Sequence, residues 1–259
     1  MDTHYWRPSM SLEKDPSLML QAMWDHAYAL LRCDPQQHPL FFIENPWVST
    51  QDREKIIQLA FEKYKVPALF LAKSSVMAAF SAGKATALVV DAGASFTSVV
   101  PVHDGYVLKK GIQYQSLAGN FVSDQIIKTF EKANIAFVPQ YLVKSKSAVD
   151  PALPAQYVTH EHRREQTTDA MHELCCMRLA DEFKETVCQI SEIPFNPSYA
   201  FLNFLTFFYR NLLKKVPKNF EFPNGYNNSF RLERFRIPEV LFDPRYILKV
   251  FSLHGFMFL

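Results

Sequence analysis

The chain has 259 residues, of which 48% are hydrophobic and 21% are charged, so its composition is that of a folded protein and excludes an intrinsically disordered one. Because 28 Lys and Arg residues balance 26 Asp and Glu residues, the net charge is only +2, which argues against a nucleic-acid-binding stripe or an acidic tail. Four cysteines are too few for a disulfide scaffold, and no basic stretch followed by an apolar run opens the chain, so we expect a cytosolic or nuclear protein without a secretory signal.

The first third of the chain predicts helices that alternate with strands. Apolar residues recur at helical spacing over 18–31, and a short buried strand is expected over 40–43. Ser49 or Thr50 caps the next predicted helix, which Pro67 ends. The inner face of this helix is expected to consist of Ile56, Ile57, Ala60, Phe61 and Tyr64.

The middle of the chain predicts a β-meander. A strand over 68–71 and a compact helix over 74–82, stopped by Gly83, lead into it. Two tight turns, one over 92–95 and one at Asp104-Gly105, join three antiparallel strands. These strands are expected over 86–90, 97–102 and 106–113, and together with the surrounding helices they indicate an α/β fold.

The last part of the chain differs in character. Glycine is absent between Gly119 and Gly225, and 14 of the 23 phenylalanines lie at or after Phe183. The polar segment 145–168 predicts an exposed loop, and 170–190 predicts a helix. Asn120 is expected to cap a helix that ends at Ala133 and buries Phe121, Ile126, Ile127 and Phe130.

The turn from Asp91 to Thr97 is the main chemical candidate. A carboxylate at the end of a strand can bind a divalent cation through water, and a turn of small residues can present backbone N–H groups to a phosphate. The residues that would contact such a ligand are Asp91, Gly93, Ser95 and Thr97. A strand followed by Asp-x-Gly is also common in ordinary hairpins, so both interpretations stay open on the local pattern.

A metal site is the second chemical candidate. His160, His162, Cys175 and Cys176 are suitable residue types, but their spacing matches no standard zinc pattern. A pair of loop histidines and a pair of buried cysteines is the favoured interpretation. The sequence also has neither the Gly-x-Ser-x-Gly motif of hydrolases nor the His-Glu-x-x-His motif of zinc proteases.

The apolar run 199–213 raises the question of a membrane anchor. A span needs about 20 apolar residues, whereas this run has fifteen positions, some of them polar. We therefore expect a buried helix or a segment foreign to the fold. Lys214, Lys215 and Lys218 are interpreted as a solvated helix end and not as a DNA-binding patch.

Ten segments in fixed order connect the chain to a known family. They include Trp24 with His26, the turn Asp91-Ala92-Gly93 and the run Glu233-Arg234-Phe235-Arg236. The order, spacing and residues of these segments resemble actin from about Leu18 to Pro244. This resemblance implies an α/β fold of the actin, hexokinase and heat-shock-70 type (ribonuclease H-like), in partial form. The segments are 22–26, 38–40, 53–55, 61–68, 82–86, 91–93, 101–106, 117–119, 222–225 and 233–244.

One branch of the actin family fits best. The segments 102–108, 145–149 and 221–227 resemble the nuclear actin-related proteins of chromatin complexes. The resemblance implies a non-catalytic subunit of SWI/SNF-type remodelling and histone acetyltransferase complexes, which acts in the nucleus in transcription regulation. Its expected partners are nuclear actin, a helix of the remodelling ATPase and other complex subunits, with indirect nucleosome or DNA association and no membrane.

The departures from actin bear on catalysis. By resemblance, Asp91 matches the cation-side aspartate of the second phosphate loop, but Ala94 replaces its second aspartate and Ser98 replaces its histidine. Ser74 replaces the glutamine that orients the attacking water, and neither the first phosphate hairpin nor the Gly-rich adenine contact has a counterpart. We therefore expect no ATP hydrolysis and no cofactor, although a full-length relative can still bind ATP.

The resemblance also divides the chain. It implies a remnant of actin subdomain 1 over 1–82, the phosphate-hairpin part of subdomain 3 over 83–117 and a subdomain 4-like part over 118–259. Two segments, 195–218 and 245–259, fit nothing in the family, and we interpret them as read-through or an alternative transcript with Met1 as an internal start. Missing core strands predict exposed apolar surface and poor solubility.

Three other functions stay open on the sequence. An active ATPase or sugar-kinase-like enzyme would use Asp91, and the replacements at Ala94 and Ser74 count against it. A cytoskeletal, filament-binding relative of actin is disfavoured by the segment 221–227. A truncated product without independent function is the third alternative.

Overall fold

A computed structural model describes residues 16–160, 162–191, 217–231 and 233–243. The chain divides into two compact units between Ser116 and Leu117. The assignment of chain segments to actin subdomains stays a prediction. The apolar run 199–213 and the segment 245–259 lie outside the described residues, as does all of 195–218 except its last two positions.

The first unit contains a two-stranded parallel sheet with helices packed on one face. The predicted helices and strands of this part are present, with bounds that differ by a few residues. The elements are α1 Pro16–Leu31, β1 Leu40–Glu44, α2 Thr50–Gln58, β2 Leu69–Lys73 and α3 Ser74–Ser81, and a single wide turn of helix, Leu59–Lys63, continues α2. Strands β1 and β2 pair in register from Leu40 with Leu69 to Glu44 with Lys73.

Only one face of the β1–β2 sheet is covered. Leu40 and Phe42 contact a buried cluster of α1 and α2 residues around Trp24, whereas Phe41 and Phe70 on the opposite face are 54% and 61% exposed. The expectation of a buried strand over 40–43 is therefore correct for one face of the strand and wrong for the other. Parallel sheets are normally covered on both faces, so the predicted exposure of apolar surface is confirmed here. The predicted poor solubility stays a prediction.

The inner face of α2 is narrower than its sequence suggests. Ile56, Ala60 and Tyr64, four residues apart, are buried, but Ile57 and Phe61 are 37% and 45% exposed. Each of these two residues lies about 100° around the helix from its buried neighbour. Burial of these two side chains would require a second layer of structure against the helix, and the described residues of this unit do not provide one.

The second sheet of this unit is the predicted meander, with one correction. Strand β3 is Ala87–Ala92, β4 is Thr97–His103, β5 is Tyr106–Val107 and β6 is Gln113–Gln115. The expected continuous strand over 106–113 is wrong, because a 3-10 turn, Lys109–Gly111, separates β5 from β6. Leu108 N–H donates to Pro101 O, but Pro101 has no N–H to donate in return, so the ladder stops there.

Gly105 is required by the turn between β4 and β5. Its φ is +79°, and a Cβ atom there would lie 2.9 Å from Cζ of Phe80. Gly83 has a φ of +68°, but a Cβ atom there would meet nothing within 4 Å. We expect Gly83→Ala and Gly105→Ala each to lower the free energy of unfolding by about 1–2 kcal/mol through backbone strain, because the Phe80 ring is 48% exposed and can turn away from a methyl group at position 105. Urea unfolding measures both losses, and a variant as stable as wild type would contradict the strain at that position.

The second unit has a phenylalanine-rich core. Phe183 and Phe222 are 0% and 1% exposed, and Phe130 and Phe230 pack against them. The elements are α4 Gly119–Lys132, β7 Val143–Lys146, β8 Tyr157–Thr159, α5 Asp169–Val187, β9 Lys218–Glu221, β10 Asn227–Phe230 and α6 Glu233–Arg236. Helices α4 and α5 supply Phe130 and Phe183, and the β9–β10 hairpin supplies the other two rings.

Two predictions for this unit are wrong. The cap of α4 is Ala118 and not Asn120, which lies inside the first turn. The segment 145–168 is not only a loop, because β7 and β8 form an antiparallel hairpin with an irregularity near Ser145. Strand β7 is mostly polar, so the alternation of apolar and polar residues that predicts a strand is missing from its sequence. Across the described residues, no helix is both long enough and apolar enough to cross a bilayer.

Candidate functional site

The predicted phosphate turn joins β3 to β4. Gly93 N–H donates to Phe96 O at 3.0 Å and closes the turn. Gly93, Ala94 and Ser95 are exposed at its tip. One of the turn's N–H groups is therefore already used within the hairpin, which leaves it less able to surround a phosphate with donors.

The sheet register separates the predicted side chains. Asp91 pairs with Ser98 and Ala92 pairs with Thr97. Directly opposed residues of an antiparallel pair lie on the same face, and successive residues alternate between faces. Asp91 and Thr97 are therefore on opposite faces of the sheet and do not converge on one ligand. Asp91 shares its face with Ser98, which is buried with 6% exposure.

Ala94 and Ser98, two of the positions predicted to differ from actin, lie in or beside this turn. Ala94 is exposed at the tip and offers no side-chain oxygen to a cation or a water molecule. Ser74 is the first residue of α3. The next residue, Ser75, is 4% exposed, and its Oγ has no hydrogen-bond partner among the described residues. Among these residues only Asp91 carries a carboxylate, the type of oxygen ligand that divalent cations prefer.

Three aromatic rings lie beside the turn. Trp47 and Tyr114 stack with centroids 4.6 Å apart, and Phe96 meets each ring edge-on at 6.1 Å. Such ring pairs add about 0.5–1.5 kcal/mol beyond the area they bury. They connect β6, the β3–β4 turn and the loop after β1. Sequence reasoning missed the cluster because its members come from three distant segments without a shared local pattern.

A buried carboxylate at the carboxyl end of the first sheet joins β1 and β2 to α2. Glu44 is 3% exposed; Arg53 donates to both of its carboxylate oxygens, and Lys73 Nζ lies 2.8 Å from Oε1. Burial by itself would raise the pKa of Glu44, but the hydrogen bonds from Arg53 and Lys73 outweigh burial, and the pKa is lowered. The carboxylate thus stays charged at neutral pH and holds β1 against α2 and the start of α3.

A polar cluster in the second unit was also missed from the sequence. Ser123 Oγ donates to Asp181 Oδ1 at 2.6 Å, and Lys184 Nζ donates to the same two oxygens at 2.8 and 2.5 Å. Lys184 also reaches the carbonyl oxygen of Gly119 at 3.3 Å. These contacts fasten the first turn of α4 to α5. The contacts between the two helices join residues that are 58 to 65 positions apart, so no local motif predicts them.

The metal candidate does not assemble from the residues named in the sequence. Among residues 16–160, 162–191, 217–231 and 233–243, no three His, Cys, Asp or Glu side chains come close enough to hold an ion. His162 instead faces Glu165 at 3.2 Å. Cys176 lies near a different histidine, His172, with 3.6 Å between Sγ and Nε2.

Comparison with known proteins places these observations in a family. The actin family model matches residues 15–252. The chain is 42% identical over 212 residues to actin-related protein 4 of Emericella nidulans, which covers 80% of this chain and 44% of that protein. It is 35% identical over 218 residues to actin-related protein 4 of Mycosarcoma maydis (83% and 39%) and 33% identical over 227 residues to that of Arabidopsis thaliana (87% and 48%). The chain thus spans about half the length of these curated relatives, or less.

Proposed function

This chain belongs to the actin family and is similar to actin-related protein 4 over most of its length, and we propose that it acts as a non-catalytic subunit of chromatin complexes. The complexes we propose are SWI/SNF-type remodellers and histone acetyltransferases that regulate transcription in the nucleus. The observation that carries this proposal is the 33–42% identity to three proteins named actin-related protein 4, extending over 80–87% of the chain.

The geometry of the phosphate turn supports the non-catalytic part of the proposal. Phosphoryl transfer depends almost entirely on positioning and on stabilisation of developing charge. In this hairpin Asp91 and Thr97 lie on opposite faces, and Ala94 contributes no oxygen. Ser74 is too short to reach an attacking water as a glutamine would. We therefore propose that this chain does not hydrolyse ATP, even where a longer relative binds the nucleotide.

The exposed apolar residues of the first unit support a role in assembly. Phe41, Ile43 and Phe70 on the outer face of β1 and β2 are each at least half exposed. Contiguous apolar surface of this kind marks sites of contact with other polypeptide. The proposed partners are nuclear actin, a helix of the remodelling ATPase and other subunits of the complex, through which the protein would reach nucleosomes and DNA indirectly.

Affinity capture tests the assembly role. The epitope-tagged chain is expressed in cells, recovered from nuclear extract, and its partners are identified by mass spectrometry. We expect actin and a remodelling ATPase to be recovered with the wild-type chain and equally with Asp91→Asn, because that side chain is exposed and no hydrolysis is needed. Recovery of neither, while tagged full-length actin-related protein 4 recovers both, would overturn the proposal and indicate a product without independent function.

Single-turnover hydrolysis tests the absence of catalysis. The chain in excess over labelled ATP and Mg²⁺ should release phosphate no faster than buffer, and Asp91→Asn should behave identically. The carboxylate of Asp91 is the one group in the turn suited to a cation. Release above background that disappears in Asp91→Asn would restore the ATPase alternative.

A further inference from the structure

One face of α5 carries a histidine and a cysteine one helical turn apart. Residues four apart on a helix are neighbours on its surface. His172 Nε2 and Cys176 Sγ are 3.6 Å apart, and both side chains are partly exposed. Imidazole nitrogen and thiolate sulfur are the ligands that zinc and related cations prefer.

Tyr141 holds the imidazole in place. Its hydroxyl lies 2.8 Å from Nδ1 of His172, and the two rings meet edge-on with centroids 6.0 Å apart. The main chain at Tyr141 is fixed in turn, because its carbonyl oxygen accepts a hydrogen bond from Arg163 at 3.1 Å. When Nδ1 carries the proton and donates a hydrogen bond to the hydroxyl oxygen of Tyr141, Nε2 is unprotonated and its lone pair faces Cys176. Metal-bound histidines are oriented in this way by a partner on their other nitrogen.

We propose that His172 and Cys176 form a two-ligand chelate for a zinc-like divalent cation. A zinc ion about 2.3 Å from sulfur and about 2.0–2.1 Å from nitrogen, at a tetrahedral angle, places these two ligand atoms about 3.5 Å apart. The observed separation of 3.6 Å matches this span without a change of backbone. Water molecules fill the remaining positions, since no third His, Cys, Asp or Glu joins the pair among the described residues.

Binding exchanges protons and water without any redox step. The Sγ–H bond of Cys176 breaks, its proton goes to solvent, and a sulfur–metal bond replaces one metal–water bond. The Nε2 lone pair of His172 displaces a second water. Binding therefore releases one proton per cation and weakens as the pH falls.

Charged side chains of both signs lie around the pair. The charged groups around the pair are Arg164, which is paired with Asp169 at 2.6 Å, and the carboxylates Glu131 and Glu173.

Cadmium titration of the full chain tests the site. Cd²⁺ bound to a thiolate gives an ultraviolet charge-transfer absorption, and Zn²⁺ should compete for it. We expect one Cd²⁺ per chain, with the absorption lost in Cys176→Ser and the affinity reduced at least tenfold in His172→Gln. Cys175→Ser is the matched control, because it removes the adjacent thiol of the same helix and should leave binding intact.

Tyr141→Phe tests the positioning role, and loss of the orienting partner should weaken binding about tenfold or more. A wild-type chain without the cadmium absorption would overturn the proposal. So would binding that depends on Cys175 and not on Cys176, or a His172→Gln variant with unchanged affinity. The test reads metal binding alone, so its outcome is independent of the proposed chromatin role.

Discussion

Phe183→Ala is expected to lower the free energy of unfolding of the second unit by about 3–5 kcal/mol. Phe183 is 0% exposed and lies within 4.9–5.8 Å, centroid to centroid, of four other phenylalanine rings. Its truncation removes an aromatic contact from each neighbour and leaves a cavity between α4, α5 and the β9–β10 hairpin. Urea unfolding followed by far-ultraviolet circular dichroism measures the loss.

Two further variants show whether the loss comes from the cavity. Phe183→Leu keeps most of the volume and should cost clearly less than Phe183→Ala. Phe242→Ala removes a ring that is 63% exposed and should change stability by no more than about 0.5 kcal/mol. Similar losses at positions 183 and 242 would show that the phenylalanine cluster is not the core of this unit.

Glu44→Gln is expected to lower the free energy of unfolding of the first unit by about 1–3 kcal/mol at neutral pH. The amide keeps the size of the side chain but removes the charge that Arg53 and Lys73 share. The expected loss is below that of a fully buried ion pair. The Arg53 and Lys73 side chains are 40% and 21% exposed, so water partly solvates their charges when the carboxylate is removed. Chemical unfolding at pH 7 measures it.

The pH dependence of this effect follows from the pKa of Glu44. That pKa is lowered from its usual value of 4.5, so the carboxylate contributes stability above the unfolded-state pKa, and this contribution is lost as the pH falls through the folded-state pKa. The difference between wild type and Glu44→Gln should therefore shrink steadily below about pH 4.5. Glu221→Gln, whose side chain is 56% exposed beside Lys146, is the control and should cost less than about 1 kcal/mol. A difference at Glu44 that does not change with pH would argue against the ion pair as its cause.

Local signals predicted most elements of the first unit correctly. Ser49 accepts a hydrogen bond from Asp52 N–H as the predicted cap of α2, and Gly83 ends α3 with a positive φ. These features depend on residues within four positions of each other, so the sequence contains all the information they need. The misplaced cap at Asn120 and the hairpin of β7 and β8 show the limit, since a polar residue near a helix start or on an exposed strand has several local uses.

The sequence by itself determined the family, because the family resemblance depends on residue identity at fixed spacing. Only the tertiary structure decided that Asp91 and Thr97 lie on opposite faces, since that depends on the strand register. It also decided that Tyr141 meets His172, and that Glu44 meets both Arg53 and Lys73. Side chains from separate elements come together only when those elements pack, and packing distance is not encoded in local spacing.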